Sequence, residues 1–300
     1  MADHLMEIGA MSAGVEEFQD LREEEQQIFG DSGAVWDRCI VHGLFSSQPD
    51  MQSIQEQLGV LTEGRPLQFE AEHIQDQEWL ESIRHSYQPA QIDKGLWIIP
   101  SWCQPEDASA INIVLEPGIA FGTGDHPTTR LCLKALLGLD LQGKTVVDYG
   151  TGSGVLAIAA LKLGAAQAYG TDTDALAVRA AAQNVALNAM EERFQAVQCE
   201  ASTEGPEPLA AACGPAPVAG TFDVVMANIL QGPLLELQGR LCMYARPGGK
   251  IVLSGFLEGQ WPAIRAAYEN DCHDFQVRQE DQWLAVTCSK RDDFSRPSAH

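Results

Sequence analysis

Three hundred residues suffice for one large α/β domain and a small one, and an apolar share of 45% can bury a substantial core. With 19 Lys and Arg against 42 Asp and Glu, the net charge of −23 opposes direct nucleic-acid binding and favours basic protein partners. No apolar run reaches the roughly 18 to 20 residues of a membrane span, and the acidic opening has the wrong composition for a targeting leader.

The first 88 residues read as a small α+β unit. Residues 3–8 carry a helical pattern, 15–18 and 35–45 strand patterns, 51–58 a helix closed by Gly59, and 67–74 a further strand. That alternation suits a ferredoxin-like arrangement, with its first strand missing because the chain opens on a helix. Residues 77–87 form a helical connector holding Trp79, Ile83 and Tyr87, and the junction falls near 88–94. The organisation expected is a recognition domain at 1–88, a connector at 89–110, a catalytic domain at 111–290 and a tail at 291–300.

Strands at 96–99 and 111–115 follow, and from there strand and helix alternate, the pattern of a doubly wound parallel sheet. Strands are expected at 145–149, 166–171, 194–198, 222–227 and 250–254, and helices at 154–163, 175–187, 233–244 and 262–269. An antiparallel hairpin, 274–278 with 283–287, closes the fold. Residues 201–220, rich in Ala, Gly and Pro, read as an irregular insertion.

Chemistry concentrates in three runs. In Val146-Val147-Asp148-Tyr149-Gly150-Thr151-Gly152-Ser153-Gly154, an apolar strand enters three alternating glycines and a helix follows at once. Such a turn exposes backbone N–H groups and a helix N-terminus to a nucleotide-like ligand. About 20 residues on, Asp172 ends the next strand, where a carboxylate can accept both hydroxyls of a ribose. A dinucleotide fingerprint begun at Gly150 fails at Val155. Begun at Gly152 it passes at Ala157, but starts too late in the turn.

The second run is Phe121-Gly122-Thr123-Gly124-Asp125-His126-Pro127-Thr128-Thr129, with Asp125 as expected N-cap and the hydroxyls of Thr128 and Thr129 free for a cofactor. The third is Asp223-Val224-Val225-Met226-Ala227-Asn228-Ile229-Leu230. It sets the Asn228 amide at a strand tip, able to orient an amine, or alternatively to cap the next helix. Eight cysteines without a Cys-x-x-Cys pair read as reduced, mostly buried thiols. Neither they nor the seven histidines have metal-ligand spacing, so no metal is expected.

The order Asp148-x-Gly150-x-Gly152-x-Gly154 resembles the first motif of class I S-adenosylmethionine-dependent methyltransferases. With the 121–129 run, Thr171-Asp172-Thr173-Asp174, Ala227-Asn228-Ile229-Leu230 and Gly248-Gly249-Lys250-Ile251-Val252-Leu253-Ser254-Gly255, the chain resembles the PrmA-type methyltransferases of large-subunit ribosomal protein eleven. The likeness covers roughly residues 5–288. It implies a Rossmann-like parallel sheet, S-adenosyl-L-methionine as cofactor, and methylation of lysine side chains and the N-terminal amine of that protein. It also implies cofactor contacts from Thr129, Gly150, Gly152, Gly154, Asp172 and Asn228, with Asn228 in the catalytic position. A cytoplasmic monomer with no nucleic-acid or membrane partner is expected, or an organelle protein if a leader is missing. Three features depart from the family: Thr151 where many members have Cys, the longer 201–220 insertion, and the missing first strand. Alternatives are a lysine methyltransferase of the same lineage with another protein target, a non-catalytic ribosome-binding module, and an NAD-dependent oxidoreductase.

Overall fold

The structure, a computed structural model, describes residues 12–17, 39–44, 51, 54, 58, 87–117, 122, 124, 126–200, 208–213 and 218–292. The chain divides into two compact units, Met1–Leu80 and Glu81–His300. In the first, β1 (Ser12–Glu17) pairs antiparallel with β2 (Cys39–Leu44), with Val15 opposite Val41. Met51, Ile54 and Leu58 are helical, and Ile54 and Leu58, four residues apart, are buried. The expected helix at 3–8 and strand at 67–74 lie outside the described residues, as does nearly all of the helix at 77–87.

The second unit opens with a three-stranded sheet, β3 (Ala90–Asp93), β4 (Leu96–Pro100) and β5 (Ile111–Leu115), in the order β3-β4-β5. β3 falls where the sequence reads as junction. It forms because Lys94-Gly95 makes a tight turn and Ile92 points into the core at 5% exposure. β4 and β5 run parallel.

The remaining elements are α1 (Pro127–Leu137), β6 (Thr145–Tyr149), α2 (Val155–Lys162), β7 (Gln167–Asp172), α3 (Ala175–Leu187), β8 (Phe194–Gln198), α4 (Ala210–Cys213), β9 (Phe222–Asn228), α5 (Gln231–Glu236), α6 (Gln238–Tyr244), β10 (Ala245–Leu257), α7 (Trp261–Tyr268), β11 (Cys272–Glu280) and β12 (Trp283–Lys290). They build a seven-stranded sheet of order β11-β12-β10-β9-β6-β7-β8. β10, β9, β6, β7 and β8 are parallel, and β12 is antiparallel to both of its neighbours.

The central strands read as near-continuous apolar runs because both faces are covered. Val146, Val224 and Val252 face one core, with α1 and α2. Val147, Val225 and Ile251 face the other, with α6 and α7. Every residue of α2 from Val155 to Leu161 is buried, since the 90–115 sheet covers the side that the main sheet leaves open.

Three expectations need correction. The single helix at 233–244 breaks at Leu237 into α5 and α6, which lets Leu234 and Leu241 both reach zero exposure. β10 spans thirteen residues and passes through a register shift between Ser254 and Phe256. Gly255 sits there at φ 93°, and a Cβ in its place would lie 2.2 Å from the backbone oxygen of Ile229. Within 201–220, residues 210–213 are helical, and Leu209 and Val218 are buried in the core.

Candidate active site

β6 has β7 on one side and β9 on the other, so successive crossovers leave it in opposite directions. That is the switch point of an open α/β sheet, where ligands lie beyond the C-terminal strand ends. The glycine loop leaves β6 there. Gly150 and Thr151 each donate a backbone N–H to Thr171 O at 2.8 Å. Gly152 N donates to Asp172 Oδ2 at 2.9 Å, and Asp174 N to Asp172 Oδ1 at 3.0 Å. Asp172 is thus oriented by backbone, with lone pairs left on both oxygens. Gly150 is required for close approach: at φ 76°, a Cβ there would come within 2.4 Å of the Ile229 side chain.

α1 is capped by His126, not by Asp125, which lies outside the described residues. His126 Nδ1 accepts from Thr128 N at 3.3 Å, with His126 extended at φ −77°, ψ 136°. The residue before a proline is steered to that conformation, which places the cap one position later than the composition suggests. Burial, then the charge of Arg130, pushes the His126 pKa down, which keeps Nδ1 an acceptor. Thr128 is not free either, because its Oγ1 lies 2.7 Å from the same nitrogen. Thr129 differs: it is fully buried and its Oγ1 has no partner.

A cavity of about 360 Å³ opens between these elements. The structure brings five of the sequence-derived residues to its wall: Thr129, Gly150, Gly152, Asp172 and Asn228. Gly154 stands behind it, where a Cβ would lie 3.1 Å from the Ala181 backbone, so its role is close packing of the loop on α3. Asn228 does not cap the following helix, as the N-cap of α5 is Leu230, with no side-chain cap bond. Its Oδ1 is buried and unpartnered at the cavity. Sequence reading passed over Tyr149, Cys199, Glu200 and Glu236, which also line the space. Their one signal is position: Cys199 and Glu200 follow the C-terminal end of β8, and Tyr149 ends β6.

Beneath the loop, Asp148 is 1% exposed; Thr151 Oγ1 donates to its Oδ2 at 2.9 Å, and its Oδ1 has no partner. Burial pushes its pKa up to about 7. In the unfolded chain the group ionises near its ordinary value, so the folded form holds an extra proton between about pH 4 and 7. The stability it contributes is present below that window and lost as pH rises through 7. Urea unfolding at pH 5 and 8 is expected to show a fall on the order of 3 kcal/mol in the wild type that Asp148→Asn abolishes. An equal fall in both proteins would mean that Asp148 is ionised throughout.

Among the described residues no three His, Cys, Asp or Glu side chains gather as a metal site, and no helix is long and apolar enough to cross a membrane.

This strand order with an antiparallel β12, and a glycine turn at the switch point followed by an acid-tipped strand, defines the class I methyltransferase fold, whose cofactor is S-adenosyl-L-methionine. The family model described as ribosomal protein L11 methyltransferase (PrmA) matches residues 1–291, and the chain belongs to that family. Two relatives with that name are those of Actinobacillus pleuropneumoniae, 40% identical over 97% of this chain and 94% of its own, and Alteromonas mediterranea, 42% identical over 86% and 83%. The crystal structure of the ribosomal protein L11 methylase of Lactobacillus delbrueckii subsp. bulgaricus is 32% identical. It covers 69% of this chain and all of that one, at a TM-score of 0.59.

The wall fits the cofactor. Two buried oxygens without partners, Thr129 Oγ1 and Asn228 Oδ1, offer acceptors to N–H groups of the cofactor or of an incoming amine. Asp172 offers lone pairs for hydroxyls, and the glycine loop leaves room for a ligand against backbone.

Proposed function

We propose that this chain transfers methyl groups from S-adenosyl-L-methionine to amines of ribosomal protein L11, both lysine side chains and the N-terminal α-amine. The observation that carries this reading is the likeness to L11 methyltransferases along nearly the whole chain, at about 40% identity. When bound, the cofactor supplies an electrophilic sulfonium methyl to a neutral amine.

The residues divide the work. Asp172 accepts the ribose hydroxyls, Gly150 and Gly152 let the nucleoside lie against backbone, and Thr129 Oγ1 takes a hydrogen bond from the methionine head. Asn228 Oδ1 accepts a hydrogen bond from an N–H of the incoming amine and so aims the nitrogen lone pair at the methyl, and orientation supplies much of the acceleration. A free lysine, with a pKa near 10.4, enters mostly protonated, and a closed apolar site favours the neutral form it needs. No residue of the cavity is assigned as a dedicated base. Each transfer leaves a nitrogen that must release a further proton to water before the next.

Residues 1–88 act as the recognition domain, 89–110 as connector and 111–290 as catalytic domain, with a tail at 291–300. A net charge of −23 supports a basic protein as target and disfavours direct contact with nucleic acid. The enzyme is read as a cytoplasmic monomer.

The test is mass spectrometry of purified L11 after incubation with this chain and S-adenosyl-L-methionine. Methyl additions mapped to lysines and the α-amine are expected. Cofactor binding by calorimetry without any addition to L11 would transfer the activity to another protein target.

A further inference from the structure

Helix α3 holds the glycine loop from behind, and that hold reaches the cavity through a chain of hydrogen bonds. Ala181, Asn184 and Asn188 are three and four residues apart and share one face of the helix. Asn188 Oδ1 accepts from Val114 N at 3.0 Å, and its Nδ2 donates to Val114 O at 2.7 Å. One turn earlier, Asn184 Oδ1 accepts from Glu116 N at 2.8 Å. The two amides stand in for a neighbouring strand along the free edge of β5, whose backbone groups need partners when buried.

Beyond these contacts the two Nδ2 groups go to different places. Asn188 Nδ2 stays within the helix, on Asn184 O at 2.7 Å. Asn184 Nδ2 leaves it, donating to Ser153 O in the glycine loop at 2.8 Å. Ser153 Oγ then donates to Gly122 O at 2.8 Å. Asn184 and Ser153 are 1% and 3% exposed, so water does not compete for these bonds. Little slack remains: a Cβ on Gly122 would lie 2.9 Å from Ser153 Oγ. Gly122 and Gly152 both line the cavity.

The geometry points to Asn184 as a positioning residue for the cofactor site: through Ser153 it ties the 150–154 loop to Gly122, and through Glu116 it ties both to the end of β5. The two glycine segments facing the cavity then keep a single spacing. A binding site is only as good as the groups that hold its wall, with displacements of about 0.5 Å already costly. This role rests on the cavity being the S-adenosyl-L-methionine site.

Asn184→Asp and Asn188→Asp make a matched pair. Each keeps the Oδ1 that accepts from Val114 or Glu116, turns the Nδ2 donor into an acceptor, and buries a carboxylate. Asn188→Asp loses two donated bonds against one, so its loss of melting temperature is expected to be at least as large. Only Asn184→Asp sets an acceptor against Ser153 O. Calorimetric titration with S-adenosyl-L-methionine is expected to show roughly tenfold weaker binding for Asn184→Asp, with Asn188→Asp within about twofold of wild type. Equal weakening in both variants, or none in Asn184→Asp, overturns the positioning role alone. If Asn184→Asp does not fold, Ser153→Ala removes the 2.8 Å bond to Gly122 O, together with a long 3.4 Å bond from Val155 N, and leaves the Asn184 bond to Ser153 O in place. Roughly three- to tenfold weaker binding is expected beside a loss of melting temperature smaller than that of Asn188→Asp, and unchanged affinity overturns the coupling. A wild-type chain that does not bind the cofactor overturns the reading of the cavity, and this role with it.

Discussion

Asp172→Ala is expected to weaken S-adenosyl-L-methionine binding by about 10- to 150-fold, or about 1.5 to 3 kcal/mol, the range for hydrogen bonds to a charged acceptor. The carboxylate is held at both ends: Gly152 N donates to Oδ2 and Asp174 N to Oδ1. Those bonds fix its plane and leave one lone-pair direction on each oxygen, an arrangement suited to two adjacent hydroxyls. Alanine removes both acceptors and also frees the Gly152 N–H at the cavity wall. Asp172→Asn keeps one acceptor oxygen and should fall between wild type and alanine. Calorimetry with the intact chain reads all three, and equal affinities would remove Asp172 from the ribose site.

The second large effect is kinetic. Asn228→Ala is expected to lower turnover on the order of 100-fold, the scale of a reacting group misplaced by about 1 Å, while cofactor affinity changes much less. Asn228 ends β9, and its backbone runs parallel to Ser254 of β10. Its buried Oδ1 meets no protein donor. A buried acceptor without a partner is costly, so its retention at the cavity points to a donor that arrives with substrate or cofactor. Steady-state kinetics separates the two: a fall in kcat at nearly constant KM for the cofactor supports the amine, whereas a rise in that KM with kcat unchanged assigns Asn228 to the cofactor alone.

Much of this site is legible in the chain because the features are local. A strand at 145–149 entering three alternating glycines, and an acid ending the next strand, describe a backbone geometry set within a few neighbouring residues. Strands 194–198 and 111–115 and helix 175–187 fall where the periodicity sets them. The cap of α1 was not legible from composition, since the pre-proline conformation of His126 outweighs the better capping chemistry of aspartate. Thr128 and Thr129 look equivalent in sequence, yet one hydroxyl is taken by His126 and the other is left bare in the cavity. Asn184 and Asn188 carry no signal at all, as two polar residues on a helix read as a solvated face. They are buried because the edge of β5 passes there, about 70 positions earlier in the chain.

By itself, then, the sequence determined the parallel α/β class, the glycine turn, the acid at the strand tip and the terminal hairpin, since each follows from backbone conformation within a few neighbouring residues. Tertiary structure alone decided that β6 lies between β7 and β9, so that Thr129, Gly150, Asp172 and Asn228 meet across one cavity. It also set Gly154 behind the wall, Glu200 and Glu236 within it, and two asparagines in place of a strand. The reason is that strand order and helix burial are settled by packing over the whole sheet, and no local pattern encodes which distant partner completes a buried hydrogen bond.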